Sequence, residues 1–174
     1  MGQSFEDKER AGNAKAIPAL FCYTTGMKTV SKSRAETREA ADYFLQNLMP
    51  GKQATVVALQ GDLGAGKTAF TQEVGKIVGV GENMASPTFV IMKIYAIDFR
   101  GFHKLIHIDA YRLEGENELV NLGWEEMMQE PTNLIFVEWP ERVAGLIPEE
   151  AKKISLAFVD EVTRHIHIHE SETK

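Results

Sequence analysis

Cysteine is almost missing from this chain: Cys22 is the only one in 174 residues. No intrachain disulfide can form and no cysteine cluster can hold a metal, so a reducing compartment is expected. No run approaches the ~20 apolar residues of a membrane-spanning helix. The N-terminus lacks the basic-then-apolar order of a signal peptide, because Glu6, Asp7 and Glu9 precede the short apolar run at 17–23. Met1-Gly2 opens like a myristoylation site, but Glu6 stands where serine or threonine is needed. The expectation is a cytoplasmic protein with no membrane partner. Positive charge is in deficit too. A formal net charge of -6 and a pI near 5.4 argue against a globally basic nucleic-acid wrapper and leave room only for a local basic patch, so DNA is not an expected partner. Internal repeats and low-complexity segments are absent.

What is present is ordinary for a globular protein: 44% hydrophobic and 25% charged residues, in a length that suits one domain with its own core. Residues 1–26 are polar and without periodicity, with Gly12, Pro18 and Gly26 as breakers. They are expected to form an extension without fixed structure. The folded domain is expected over 27–170, followed by a short tail at 171–174.

Ser33-Arg34-Ala35-Glu36 has the form of a capping box, and Ala40, Ala41, Phe44, Leu45 and Leu48 follow at helical spacing until Pro50-Gly51 stops them. A short apolar strand is predicted over 55–60 and an amphipathic helix over 67–80, with Phe70, Val74, Ile77 and Val78 on one face. Strands are predicted over 89–97 and 105–108 around an Arg100-Gly101 turn, a helix over 119–128, and a strand buried on both faces over 134–137. A hairpin around Asp160-Glu161 joins 153–159 to 162–168. Alternating strands and helices predict an α/β fold: a three-layer domain with a mixed sheet, parallel at its centre and antiparallel at the C-terminal hairpin.

Between the first strand and its helix lies Gly61-Asp62-Leu63-Gly64-Ala65-Gly66-Lys67-Thr68. It satisfies the P-loop pattern G-x-x-x-x-G-K-[ST] at every position. Three glycines in six residues let the backbone curl so that successive amides point at anionic oxygens, and the helix adds its positive end. Lysine at this spacing reaches the β- and γ-phosphates, and the threonine hydroxyl ligates magnesium. By average composition a chance match in a chain this long is on the order of one per cent, and the strand–loop–helix context cuts it further. The expected ligands are ATP and magnesium.

A phosphate cradle alone does not say what happens to the nucleotide. Hydrolysis also needs a carboxylate for the metal and a group that orients the attacking water. Two apolar strands end in an acid: Leu105-Ile106-His107-Ile108-Asp109 and Leu134-Ile135-Phe136-Val137-Glu138. In a parallel sheet strand ends open onto the ligand crevice, so either acid is placed beside Thr68 or stands as a surface acid at a strand–loop junction. Thr88, in Ser86-Pro87-Thr88-Phe89, either senses the γ-phosphate and its metal or simply starts a strand.

These four segments (the loop, Ser86-Pro87-Thr88-Phe89, His107-x-Asp109-x-Tyr111-Arg112-Leu113 and Glu138-Trp139-Pro140) together resemble the TsaE family, formerly YjeE. These are the small P-loop ATPases of bacterial tRNA threonylcarbamoyladenosine synthesis. The resemblance runs from about residue 27 to residue 168. It implies a three-layer P-loop fold, slow ATP hydrolysis alone, and action with TsaB and TsaD, which modify the adenosine beside the anticodon; tRNA is then met through that complex. It further implies that Asp62, Leu63, Gly64, Ala65 and Gly66 line the nucleotide, with Lys67 on phosphate and Thr68 on magnesium. Glu138 is implied as the magnesium acid, directly or through water. Asp109 or Thr88 is implied to orient the attacking water, Trp139 to lie near the nucleotide, and Thr37 and Arg164 to contact the base side.

Other readings stay open at this point. A small-molecule P-loop kinase needs an arginine-bearing lid, and only Arg112 and Arg142 follow the two acids. A switch in which ATP binding matters and hydrolysis is incidental uses the same residues. A GTPase lacks its Asn-Lys-x-Asp motif. His165, His167 and His169 alternate, so they either share one side of a strand as ligands for a transition metal or, with no carboxylate or cysteine completing a recognisable site, form the exposed face of an edge strand with Ile166 and Ile168 turned inward. The acids Glu114, Glu116, Glu118, Glu125 and Glu126 suit a solvated helical surface, and Trp124, Met127 and Met128 suit core or docking positions.

Overall fold

The computed structural model describes residues 26–170. The expected extension, with Cys22, and the tail lie outside them, except for Gly26, which opens the first strand. Seven strands form one sheet in the order β1-β7-β6-β2-β5-β4-β3: β1 Gly26–Ser31, β2 Thr55–Gln60, β3 Met92–Phe99, β4 Phe102–Asp109, β5 Asn133–Glu138, β6 Lys152–Phe158 and β7 Arg164–His169. β6, β2, β5 and β4 run parallel, while β3, β7 and β1 pair antiparallel outside them. The mixed sheet of the predicted α/β fold is therefore present, with antiparallel members on both sides. Among the described residues no helix is long and apolar enough to cross a membrane.

Alternation along the strands builds two cores, one on each face. Val57, Leu59, Leu105, Leu134, Phe136, Ile154 and Ile166 face α1 (Arg34–Leu45) and α2 (Lys67–Ile77). Phe44 on α1 sets its ring edge-on to Phe70 and Phe136, at 6.4 and 6.1 Å. Val56, Ile106, Ile108, Ile135 and Val137 face the other way, against Leu113, Leu119, Trp124 and Val143, with Met127 and Met128 packed around them. Trp124 and both methionines thus serve the core. β5 is buried throughout because both its faces are covered.

Ser33 caps α1, its hydroxyl accepting from the Glu36 amide at 3.2 Å, while the Glu36 carboxylate accepts from the Lys32 amide at 2.5 Å. The reciprocal bond lands one residue earlier than a standard capping box would place it. α2 stops at Ile77 instead of residue 80, because Gly79 turns to φ 88°.

Three further expectations change, two for local reasons and one through strand pairing. The predicted strand 89–97 begins only at Met92, because the Val90 amide turns back to the Pro87 carbonyl and Ile91 sits at φ 65°, outside any strand geometry. The predicted helix 119–128 is two short helices, α3 Glu116–Asn121 and α4 Trp124–Gln129, broken by Gly123 at φ 87°. β7 is an inner strand, because β1 pairs along it from Gly26↔His169 to Ser31↔Arg164. The alternation on β7 is as expected, with Ile166 and Ile168 buried, but the edge belongs to β1. The acids of α3 and α4 are exposed; Glu116 accepts from the Gly145 amide at 2.6 Å.

Candidate functional site

β2 runs straight into the glycine-rich loop, and α2 begins at Lys67 with Gly66 as its left-handed N-cap, φ 99°. Parallel register places Leu59 beside Glu138 and Glu138 beside Asp109, so three strands end at one level. The crevice at the C-terminal ends of a parallel sheet is where α/β domains bind ligands. Here it holds both acids.

Thr68, the second residue of α2, donates its hydroxyl to Glu138 Oε1 and Oε2 at 2.8 and 3.0 Å, across 70 residues of sequence. Glu138 is buried, and its Oε1 also meets His107 Nε2 at 2.7 Å. Asp109, likewise buried, takes the Thr88 hydroxyl on Oδ2 and the Tyr111 amide on Oδ1 at 3.1 Å. Thr88 in turn shares a hydrogen bond with the Ser86 hydroxyl at 2.6 Å. A second tie holds this turn: the Arg112 guanidinium lies over the Phe89 ring, 4.6 Å from its centroid.

Lys67 is folded into the loop. Its ammonium donates to the Gly61 and Asp62 carbonyls at 2.6 and 3.0 Å and lies 3.8 Å from the Trp139 ring centroid. Trp139 reaches it because the chain leaves β5 in the left-handed region, φ 58° and ψ 51°, before Pro140 starts two short 3-10 turns over Pro140–Leu146, kinked at Val143. Tyr111 stacks against Trp139 with ring centroids 5.1 Å apart. Burial pulls the Lys67 ammonium below the usual lysine range, while the charges of Glu138, Asp109, Glu141 and Asp62 oppose that shift.

The remaining loop residues divide by exposure. Asp62, Leu63 and Gly64 are exposed, Leu63 at 78%, whereas Ala65 is fully buried with its amide on the Asp62 carbonyl at 3.1 Å. Arg164 braces the loop from β7, its Nε donating to the Gly64 carbonyl at 3.1 Å. Thr37 hydrogen-bonds Ser31 at 2.8 Å, and with Arg164 it lines a groove of about 290 Å³ beside Gly66 and Ala69. The two residues named for the base side, 127 positions apart by their numbers, therefore share one groove next to the loop. Among the described residues no group of three or more His, Cys, Asp or Glu side chains converges as a metal cage. His167 and His169 stack at 3.8 Å, and His169 Nε2 is bonded to Ser155 at 2.8 Å.

The structure thus gathers Lys67, Thr68, Thr88, Asp109, Glu138 and Trp139 at one end of the sheet. The sequence pattern includes His107 but gave it no role. The available signal was a histidine inside an otherwise apolar strand, two residues before Asp109 and so on the same face.

A parallel-centred α/β domain that turns from its central strand through a glycine-rich Lys-Thr loop into a helix, with acids level with it on the next two strands, is the class that fold and site define. The model of the family "Threonylcarbamoyl adenosine biosynthesis protein TsaE" matches residues 31–166, and the chain belongs to that family. Its place is therefore in tRNA threonylcarbamoyladenosine biosynthesis. The chain is 37% identical over 138 residues to the TsaE protein of Rickettsia prowazekii, covering 79% of this chain and 90% of that one. It is 34% identical to that of Treponema pallidum, covering 82% and 99%. The crystal structure of Bacillus subtilis YdiB superposes with a TM-score of 0.64 at 26% identity, covering 86% of this chain and 89% of that one.

Proposed function

We propose that the chain binds ATP with magnesium in this crevice and hydrolyses it, slowly when alone. In this reading it acts in the cytoplasm with TsaB and TsaD, and its ATP cycle supports repeated threonylcarbamoylation of the adenosine beside the tRNA anticodon. The observation that carries the reading is the Thr68–Glu138 contact: a helix-borne hydroxyl and a buried carboxylate, 2.8 Å apart, at the mouth of a P-loop sequence. Two hard oxygen donors, with no further cage among the described residues, fit magnesium, which keeps most of its shell for water and phosphate oxygens.

Thr68 and Glu138 would hold the metal; bound there, it supplies charge neutralisation across the β- and γ-phosphates. The chain's own residues do the rest. The loop amides and the start of α2 present donors to phosphate. Lys67 exchanges the Gly61 and Asp62 carbonyls for phosphate oxygens, a trade that restores a full countercharge to a buried ammonium. Asp109 accepts a hydrogen bond from the attacking water and so orients it, and Thr88 follows because it is already bonded to that carboxylate. The groove between Thr37 and Arg164 takes the base and ribose. Trp139 and Tyr111 shield the phosphate end from bulk water.

Lys67→Ala tests the site. Calorimetric titration with ATPγS and magnesium should show at least a tenfold loss of affinity, and ATP turnover should vanish. Unchanged turnover would end the assignment. Reconstitution with TsaB and TsaD tests the cellular role: modified tRNA should exceed one equivalent of the complex only when this chain and ATP are both present.

A further inference from the structure

We infer that His107 is a positioning residue: its Nε2–H holds Oε1 of Glu138 so that the carboxylate faces Thr68 and the metal. The inference rests on the magnesium site proposed above and concerns what orients its acid.

His107 has no exposed surface. It lies on the β4 face that also carries Leu105 and Asp109, in register with Phe136 of β5. That face is the one packed against α1 and α2, where Leu105 and the neighbouring Phe136 are core positions. An apolar side chain here would serve the fold better, because imidazole brings two polar nitrogens into a dry place. One of them has a purpose: Nε2 sits 2.7 Å from Glu138 Oε1. The other, Nδ1, is buried without a hydrogen-bond partner.

The carboxylate settles which nitrogen donates: it only accepts, so the proton of the bond sits on Nε2. His107 is therefore a donor aimed at one oxygen of one acid. Among the described residues two side chains are bonded to Glu138, His107 from β4 and Thr68 from α2. Thr68 ligates a cation through an oxygen lone pair and keeps its hydroxyl proton for Glu138. His107 is the second anchor of the carboxylate, from the neighbouring strand and behind the metal position. A partner of this kind behind a ligand is the usual way a protein fixes ligand orientation, and its loss typically lowers metal affinity about 10–100-fold.

The test uses three variants of the full chain: His107→Leu, which removes the donor; His107→Gln, whose amide extends about as far as Nε2; and His107→Asn, whose amide stops short. ATPγS affinity is measured by calorimetry with magnesium and again in EDTA, and Mn2+ binding in the presence of ADP is followed by electron paramagnetic resonance. In His107→Leu, affinity in EDTA should stay within about twofold while the magnesium enhancement and Mn2+ affinity fall about 10–100-fold. His107→Gln should recover most of that loss, and His107→Asn should not. A merely structural histidine predicts the opposite: enhancement kept in all three, or affinity lost equally with and without metal. Either result overturns the inference, as does an equal loss in Leu and Gln. If His107→Leu does not fold, Gln against Asn decides alone, and equal enhancement in that pair refutes the role. A wild-type chain with no magnesium enhancement would sink the metal site itself, an outcome separable from every variant result.

Discussion

Replacing Glu138 by alanine separates the two acids and has a size that follows from the structure. Glu138 is buried and holds two partners, His107 at 2.7 Å and Thr68 at 2.8 and 3.0 Å. Thr68 is only half-buried, so water replaces its lost acceptor. His107 is fully buried, and its orphaned N–H costs about 1–3 kcal/mol. Removing a buried carboxylate also removes its desolvation penalty, which offsets part of that loss. The net destabilisation is about 1–2 kcal/mol, or a melting temperature roughly 2–8 °C lower for a chain of this size. The effect on ligand is larger in kind. One of two protein oxygens for magnesium disappears, so the ratio of ATPγS affinity with magnesium to that in EDTA should fall by at least about tenfold, or 1.4 kcal/mol. Asp109→Asn is the control. Its side chain keeps an oxygen for the Tyr111 amide, so magnesium enhancement should hold within about threefold, under 1 kcal/mol. Hydrolysis, in contrast, should slow by about 10²-fold or more as the water loses its acceptor. Calorimetry for binding and single-turnover release of phosphate for chemistry read the two effects separately. If Asp109→Asn loses the metal enhancement and Glu138→Ala keeps it, the roles assigned here are reversed.

Three smaller perturbations test other links. Gly61→Ala should prevent stable folding or cost well over 2 kcal/mol, because Gly61 has φ 141° and an added Cβ would lie 2.1 Å from the backbone carbonyl oxygen of Leu156; a melting temperature within 2 °C of wild type would refute the packing argument. Ser33→Ala should cost about 1 kcal/mol through loss of the α1 cap, read by chemical denaturation; an unchanged denaturation midpoint would refute the capping role. His169 is held below the ordinary histidine value of 6.5 by burial first, then by the charges of His167, Lys153 and Lys28. The unfolded chain therefore takes up this proton at higher pH than the folded one, so the folded state loses stability as pH falls from about 6.5 through the lowered value. His169→Gln should flatten that part of the curve in thermal melts between pH 5 and 7.5; an unchanged slope would show that His169 does not contribute.

The residues near in sequence largely determine what is near in space, and those parts were legible. The glycine spacing of 61–68 between an apolar strand and an amphipathic helix marks the loop, since curling a backbone around an anion is a local demand. Ser33 and Glu36 mark the start of α1 for the same reason, and the two apolar runs ending in Asp109 and Glu138 mark strand ends. The turn at 87–91 and the break at Gly123 were less legible, because one backbone angle in the left-handed region outweighs the apolar pattern around it. Only the tertiary structure decided the rest. β1 has no strong pattern of its own and becomes a strand because β7 offers it a partner. Glu138 meets Thr68 across 70 residues because β2 and β5 align Leu59 with Glu138. Thr37 and Arg164 share one groove because α1 and β7 flank the same loop. The first loop glycine answers to the β6 backbone at Leu156 as much as to phosphate. His107 acquires a partner only when β4 lies beside β5. A single residue's propensity carries no information about which distant strand becomes its neighbour; that is settled by the joint burial of both faces of the sheet, and the geometry around Glu138 is its result.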